Sequence, residues 1–357
     1  MSTQTAVKTL PMPDIYDPAN AQKVDYSPND WTIMEAAEKW KNAQGLTPVG
    51  SDNVVISVLW IDNQIDFCFP EGALYVAGRT GTGAMDAQRN MTEFIYKHLH
   101  IISQIRCTMD SHHPYQIFSS LFHLRSDDRT HPAPNTIITA DEYRSGVYIP
   151  NPAVAKELGV SPQALQKYCI YYCEQLEATG KYALLIWPPH CILGSRGHAL
   201  AGIANEVRLF HSASRGAMNL PELKGTSPFT EHYSIFSPEV MTFHDGTPIP
   251  GVGKNINLIN TLLNSDVVII GGEASSHCVK ESIRDLLDHI LNDPNGDPEL
   301  VKKIYILRDC MAPVVISAAG IDFTDDAESE LQNFANAGMN VVDSTTPIED
   351  WPGIKLP

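Results

Sequence analysis

Cys278 sits in the run VVIIGGEASSHCVKESIRDLL, where an apolar strand-like stretch, Val267–Ile270, breaks at a glycine pair. A short polar turn follows, and the cysteine opens a helix-like pattern. A thiol at a helix N-terminus faces unpaired backbone N–H groups and the positive end of the helix dipole, and both favour the nucleophilic thiolate. The same N–H groups can hold an oxyanion formed beside the sulfur. A buried inert cysteine is the commoner fate of a thiol near an apolar strand. A nucleophile therefore needs a base and an electrostatic partner, and these can lie far off in sequence. VVISVLWIDNQIDFCFPEGAL places Asp62 at the end of an apolar strand, where open α/β sheets build their sites. Lys224 precedes Gly225 in the polar, turn-rich NLPELKGTSPFTEHYSIF. Taken singly, Asp62 reads as a helix cap or turn residue and Lys224 as a solvated charge.

Taken together, five short motifs resemble those of isochorismatase-like cysteine hydrolases, and among these the nicotinamidases. They are Asp62 in DNQIDF, Asp110 and His112 in CTMDSHHP, His190 beside Trp187 in IWPPHCILGS, Lys224 in KG, and Cys278 in GGEASSHCV. The resemblance spans roughly residues 54–342, leaving out the first fifty residues and much of 119–180. It implies a three-layer α/β sandwich, with a mainly parallel sheet covered by helices on both faces. It also implies a catalytic set of Asp62, Lys224 and Cys278, and an oxyanion hole from the amides of Ala274 and Cys278 after a cis Glu273–Ala274 peptide. Asp110, His112 and His190 would hold a divalent metal, zinc or iron. One carboxylate and two imidazoles suit either ion and leave positions open for water or substrate. Phe67 and Trp187 would flank a flat heterocycle, with Tyr233 a further wall. In nicotinamidases the ion meets the ring nitrogen and not the scissile carbonyl. Two departures stand out: Glu273 occupies a place that is usually apolar, and the further histidine that often follows D-x-H is not at Gln116 or Phe118. His113, His123 and His131 remain open as substitutes.

The expected activity is hydrolysis of the C–N bond of nicotinamide or a related heterocyclic amide to acid and ammonia through a cysteine thioester. The alternatives are a metal-free carbamoyl-type amidohydrolase of the same superfamily, against which the D-x-H and WPPHC motifs argue, and a non-catalytic binding relative. Such a relative is free to lose Cys278, Asp62 or Lys224. An isochorismatase is disfavoured, because vinyl-ether hydrolysis does not need the cysteine.

Composition narrows the partners. With 43% hydrophobic and 19% charged residues the chain is ordinary for a globular protein. A net charge of −17 argues against nucleic acid or anionic membrane as a general partner. No apolar run reaches about twenty residues, so no transmembrane helix is expected, and the N-terminus lacks the apolar core of a signal peptide. Seven irregularly spaced cysteines do not suggest a disulfide framework, and a catalytic thiol favours a reducing, cytoplasmic setting. The expected partner is a small amide, with homo-oligomer assembly.

Alternating patterns organise the chain. Residues 1–50, rich in Pro, Asp and Asn, read as an arm with one helix near 31–43, and residues 51–357 as the hydrolase domain with a large insertion at about 119–180. That insertion reads either as surface elaboration or as a lid or subunit contact. Strands are expected at 54–61, 101–107, 182–186, 267–270, 304–307 and 340–342. Helices fall near 85–99, 162–179, 199–210, 256–263, 279–291 and 326–337. Strands alternating with helices predict a parallel sheet covered on both faces.

Overall fold

The apolar run before Asp62 forms β1, Ile56–Ile61, and all six residues are buried. Its side chains alternate between two cores. Leu59 and Ile61 pack with Val268, Ile270, Ile304 and Ile306 on one face of the sheet. Val58 and Trp60 pack with Ile105, Ile269, Tyr305 and Leu307 on the other. A strand buried on both sides needs a cover on both sides, which crossover helices supply in parallel sheets.

The computed structural model describes residues 9–180, 182–294 and 296–357, so residues 1–8 of the expected arm lie outside the described residues. Five further strands complete the main sheet: β2, Gln104–Asp110; β3, Glu222–Lys224; β4, Val267–Glu273; β5, Ile304–Ala312; and β6, Asn340–Val342. The order is β3-β2-β1-β4-β5-β6, with every pairing parallel. The helices of two turns or more are α1, Asp30–Gln44; α2, Gly83–His98; α3, Pro162–Thr179; α4, Gly202–Arg215; α5, Ile256–Leu263; α6, Cys278–Asn292; and α7, Thr324–Asn336. Helices α1, α2 and α4 cover the Trp60 face, and α3, α5, α6 and α7 contribute to the core on the Leu59 face. The protein is thus a three-layer α/β sandwich. No helix among the described residues is long and apolar enough to cross a membrane.

Strand order reverses between β1 and β4, and open α/β sheets bind ligands outside the carboxyl ends of strands at such a reversal. Asp62 follows β1 and Cys278 lies five residues past β4, while Asp110 and Lys224 are the last residues of β2 and β3. Four neighbouring strands therefore deliver their chemistry to one edge of the sheet.

Two expected elements are corrected. Residues 182–186 do not enter the main sheet; only Leu184–Leu185 is extended, and it pairs antiparallel with Ile137–Ile138 in a separate two-stranded ribbon. The place is taken by β3, whose segment reads as polar turn. As a three-residue edge strand with Leu223 55% exposed, β3 needs no apolar run, and periodicity cannot reveal it. The expected strand at 101–107 begins later and runs on to Asp110. Ile101 and Ile102 are buried in the turn after α2, so they carry core without carrying strand.

Residues 9–50 lie against α2 and α4. The Leu10 N–H donates to Lys97 O (2.9 Å), Gln88 Nε2 donates to Ala21 O (2.6 Å), and the Tyr26 hydroxyl donates to Glu206. Residues 119–180 leave and rejoin the fold at one point, where the Trp187 N–H donates to Phe118 O (3.0 Å).

On α4, His211 is fully buried as a neutral ring with both nitrogens satisfied: Nε2–H donates to Ile102 O (2.8 Å) and Nδ1 accepts from Asn219 Nδ2 (2.8 Å). Burial above all, with Arg215 nearby, pushes its pKa down to about 4. Below the ordinary imidazole value the unfolded chain takes up a proton that the folded one refuses. The stabilisation is therefore complete above about pH 6.5 and is lost as pH falls to about 4, roughly 3 kcal/mol in all. Urea denaturation from pH 7 to pH 4 will show stability falling with pH, and His211→Gln will flatten that slope while lowering stability at pH 7. An equally steep slope in the variant would place the acid sensitivity elsewhere.

Candidate active site

The Lys224 ammonium links the residues singled out from the sequence. Its Nζ lies 2.9 Å from Asp62 Oδ2, 3.1 Å from Asp110 Oδ1 and 3.6 Å from Cys278 Sγ, and it donates to His232 O at 2.8 Å. Taken singly Lys224 reads as a solvated charge, but it is buried, with 1% of its side chain exposed. Such burial is tolerable only because the charge is paired and hydrogen-bonded. Burial opposes the charge, but Asp110, Asp62 and Cys278 outweigh it and hold the Lys224 pKa well above its ordinary value. Asp62 is fixed in turn by Thr108, whose hydroxyl donates to Oδ1 (2.5 Å) and accepts from the Asp62 N–H (3.0 Å).

Two glycines make this approach possible. Gly272, at φ 125°, passes so close to β1 that a Cβ would stand 2.1 Å from Ile61 O. At Gly225, φ 78°, a Cβ would stand 2.6 Å from Asp110 Oδ1. A side chain at Gly272 would push β4, which leads to Cys278, away from β1 and Asp62, and one at Gly225 would displace the Asp110 and His112 side chains.

Cys278 opens α6, as the sequence reading expects, but the resting sulfur differs from that reading. Burial pushes the thiol up; Lys224 lowers it, while Asp62 and Asp110 raise it further, and the result lies well above the ordinary value. One ammonium shared between two carboxylates leaves the cluster net negative, so a third anion is disfavoured and the sulfur rests as a thiol. Burial raises Asp62 as well, against the pull of Lys224. A base whose proton affinity is raised, beside a protonated thiol, is arranged for proton transfer within the cluster. The Glu273–Ala274 peptide is cis. Among the described residues neither the Ala274 nor the Cys278 N–H donates to a backbone carbonyl.

Asp110, His112 and His190 form the second group, with potential ligand atoms all within 4.8 Å of one another. His112 Nδ1 contacts Gly225 O (3.3 Å) and His190 Nδ1 contacts Pro188 O (2.7 Å). Carbonyls only accept, so each proton belongs on Nδ1 and each Nε2 lone pair is free. Both Nε2 atoms face Asp110 Oδ2, at 2.9 and 3.8 Å. Burial resists charge on Asp110, yet His112 and Lys224 hold it well below the usual carboxylate range, and burial lowers His112. An ionised carboxylate facing two imidazole lone pairs is a donor set that fits a divalent cation. The other histidines offered by the sequence do not join it. His123 is engaged with the Tyr143 hydroxyl and Ile117 O, His131 Nδ1 contacts His123 O, and His113 is not in the group. Gln116 donates to Gly225 O and Ser227 O, steadying the loop after Lys224.

A cavity of about 40 Å³ is lined by members of both groups, with Phe67, Trp187, Tyr233, Ala274 and Cys278 in its walls together with Asp110, His112 and His190. All the residues selected for catalysis, metal binding and ring contact thus lie in or beside one space. Sequence reasoning missed several others. Glu231 is buried in the wall and accepts from Trp187 Nε1 at 2.8 Å. His277 stacks on Tyr182, with ring centroids 5.1 Å apart. Gln64 clips the ends of β1 and β2, donating to Asp110 O and accepting from the Asp110 N–H. Asp66 accepts from the Cys191 N–H (2.7 Å) and so ties the WPPHC loop to the DNQIDF loop. Gln64, Asp66 and His277 lie inside recognised motifs, which was the available signal; Glu231 lies outside them, in a stretch without pattern. The insertion braces this wall: Tyr168 donates to Phe229 O and the Glu231 N–H donates to the Tyr172 hydroxyl; just past it, Tyr182 donates to Ser276 O.

Fold and site together define a doubly wound α/β protein with a buried thiol–ammonium–carboxylate cluster beside a group of one carboxylate and two imidazoles. Solved structures of nicotinamidases and pyrazinamidases match most of the chain. The Acinetobacter baumanii nicotinamidase/pyrazinamidase has a TM-score of 0.47 at 17% identity, over 83% of this chain and 98% of its own. The yeast nicotinamidase Pnc1p has 0.48 at 16%, over 81% and 99%. The Pyrococcus horikoshii pyrazinamidase in complex with zinc has 0.43 at 19%, over 81% and 98%. No family model matches the chain, and no curated protein matches it.

Proposed function

We propose that this protein is a cysteine-dependent amidohydrolase of the nicotinamidase kind, converting nicotinamide or a related heteroaromatic amide to the carboxylic acid and ammonia. The observation that carries the reading is the position of Lys224 Nζ, within 3.6 Å of Cys278 Sγ and in contact with both Asp62 and Asp110. In this reading residues 1–50 are an arm on a hydrolase domain of residues 51–357, and the insertion at about 119–180 supports the pocket wall.

Asp62 takes the thiol proton as Cys278 Sγ attacks the amide carbon. The N–H groups of Ala274 and Cys278 receive the oxyanion, and Lys224 offsets the negative charge that moves between sulfur and carboxylate. Asp62 returns the proton to the leaving nitrogen, the C–N bond breaks, and ammonia departs from a thioester. Water then attacks that carbonyl, giving a proton to Asp62. The C–S bond breaks, the acid is released and the thiol re-forms. Asp110, His112 and His190 would hold a divalent zinc or iron ion, which when bound supplies a Lewis-acid contact for a substrate lone pair. Phe67, Trp187 and Tyr233 would hold a flat ring between them, and the narrow cavity favours a small planar substrate.

Ammonia release across a panel of amides tests this. Nicotinamide will turn over, and benzamide, which lacks the ring nitrogen, will fall behind by about a hundredfold or more in kcat/KM. Equal values for the two would reject reading of the ring. Turnover of aliphatic amides alone would reject the nicotinamidase reading and leave the Cys278 chemistry standing.

A further inference from the structure

We propose that Glu273 is a specificity-determining residue whose carboxyl donates a hydrogen bond to an acceptor atom that the substrate carries in addition to its scissile amide. This rests on the amidohydrolase reading above. Glu273 is the last residue of β4, immediately before Ala274, and it lines the Cys278 cavity together with Phe67, Leu74, Val76 and Val314. It is 1% exposed. Its Oε2 accepts from the Ala312 N–H at 3.2 Å, and its Oε1 has no hydrogen-bond partner among the described residues. No Lys, Arg or His nitrogen among the described residues lies within ion-pair distance of it.

A carboxyl in such surroundings is neutral, because nothing there compensates a buried charge. Burial accordingly pushes the group well above the usual carboxylate range, against the single Ala312 N–H. With Oε2 accepting, the proton belongs on Oε1, which makes Oε1 a donor with nothing to donate to. Buried polar atoms are nearly always paired, so Oε1, unpaired on a residue that lines the Cys278 cavity, calls for a partner. A purely structural role accounts for Oε2, which ties β4 to β5, but not for Oε1. Glu231, in the lining of the same cavity, makes the contrast: its carboxyl is engaged by Trp187 Nε1. The ligand class that answers Oε1 is a small planar amide with one more acceptor, such as a second ring nitrogen or a ring carbonyl. An added hydroxyl that must donate, or a plain hydrocarbon ring, does not answer it.

The test uses matched amide pairs that differ by one acceptor, nicotinamide with pyrazinamide and nicotinamide with its ring-oxo derivatives. Dissociation constants are measured calorimetrically in the full chain carrying Cys278→Ala, so that no turnover intervenes, with and without Glu273→Met or Glu273→Gln. At least one acceptor-bearing member will bind tenfold or more tighter than its partner when Glu273 is present. Glu273→Met will reduce that ratio to about twofold or less, and Glu273→Gln, which keeps a donor, will retain most of it. In the chain with Cys278 intact, the same ratios will show in KM more than in kcat. An unchanged ratio in Glu273→Met, or equal weakening of both members of every pair, overturns the proposal; so does an absence of preference when Glu273 is present. Ammonia release by the unmodified protein is scored separately. Its absence with the binding preference intact would reject the amidase reading and keep the role of Glu273.

Discussion

Cys278→Ala will abolish amide hydrolysis, by at least about a thousandfold in kcat, without unfolding the protein. The expectation is large because the sulfur forms the covalent bond on which both halves of the proposed reaction depend, and removal of a nucleophile is rarely compensated. The change deletes one atom from a residue 8% exposed at the start of α6, so the packing of α6 against the sheet is retained. The other cysteines are buried and lie outside the cavity wall, so no second thiol stands ready to replace it. Cys278→Ser will also be poor. A hydroxyl is far harder to deprotonate than a thiol, and the cluster of one ammonium and two carboxylates already disfavours a further anion. Ammonia release and a thermal melt on the same sample check both statements. Activity within tenfold of the unmodified protein in a folded Cys278→Ala chain would remove the nucleophile assignment, as would a thioester trapped on another cysteine.

The second large effect concerns the Asp110 group. Protein never exposed to chelator will carry about one divalent ion per chain. His190→Ala will lose it, since the change deletes one of two free Nε2 atoms facing Asp110 Oδ2. The His190 ring contacts Asp110 and Pro188 O and makes no hydrogen bond to Asp62, Lys224 or Cys278, so its removal leaves the thiol's own neighbours in place. His190→Ala will therefore raise KM by roughly tenfold to a hundredfold, the usual scale for removal of a buried polar contact to substrate, and lower kcat by less. Elemental analysis together with steady-state kinetics reads both. Protein free of metal and fully active would sink the metal assignment and favour the metal-free amidohydrolase.

These expectations rest on residues that local sequence made visible to different degrees. The strand–turn–helix signal around Cys278 is local: an apolar run, a glycine pair and a helix pattern are each dictated by neighbours in the chain. So is the two-sided burial of β1, since a strand covered on both faces must be apolar throughout. The helices at Ile256–Leu263 and Pro162–Thr179 lie where their patterns place them. Composition and alternation likewise pointed to a parallel sheet between helical layers.

What only the tertiary structure decided is whatever depends on meeting across the sheet. Lys224 reads as a surface charge because its neighbours are polar, and it is buried only because β3 pairs with β2 and brings it against Asp110 and Asp62. The protonation of Cys278 follows from the sum of charges gathered from four strand ends, which no local window contains. Glu273 reads as an odd residue in a motif; its buried, half-partnered carboxyl emerges once β4 and β5 pair and it joins Phe67 and Val76 in the cavity lining. Local sequence determines which residues can become strand, turn and helix. Long-range packing sets which charges share a low-dielectric space, and that sharing decides their chemistry.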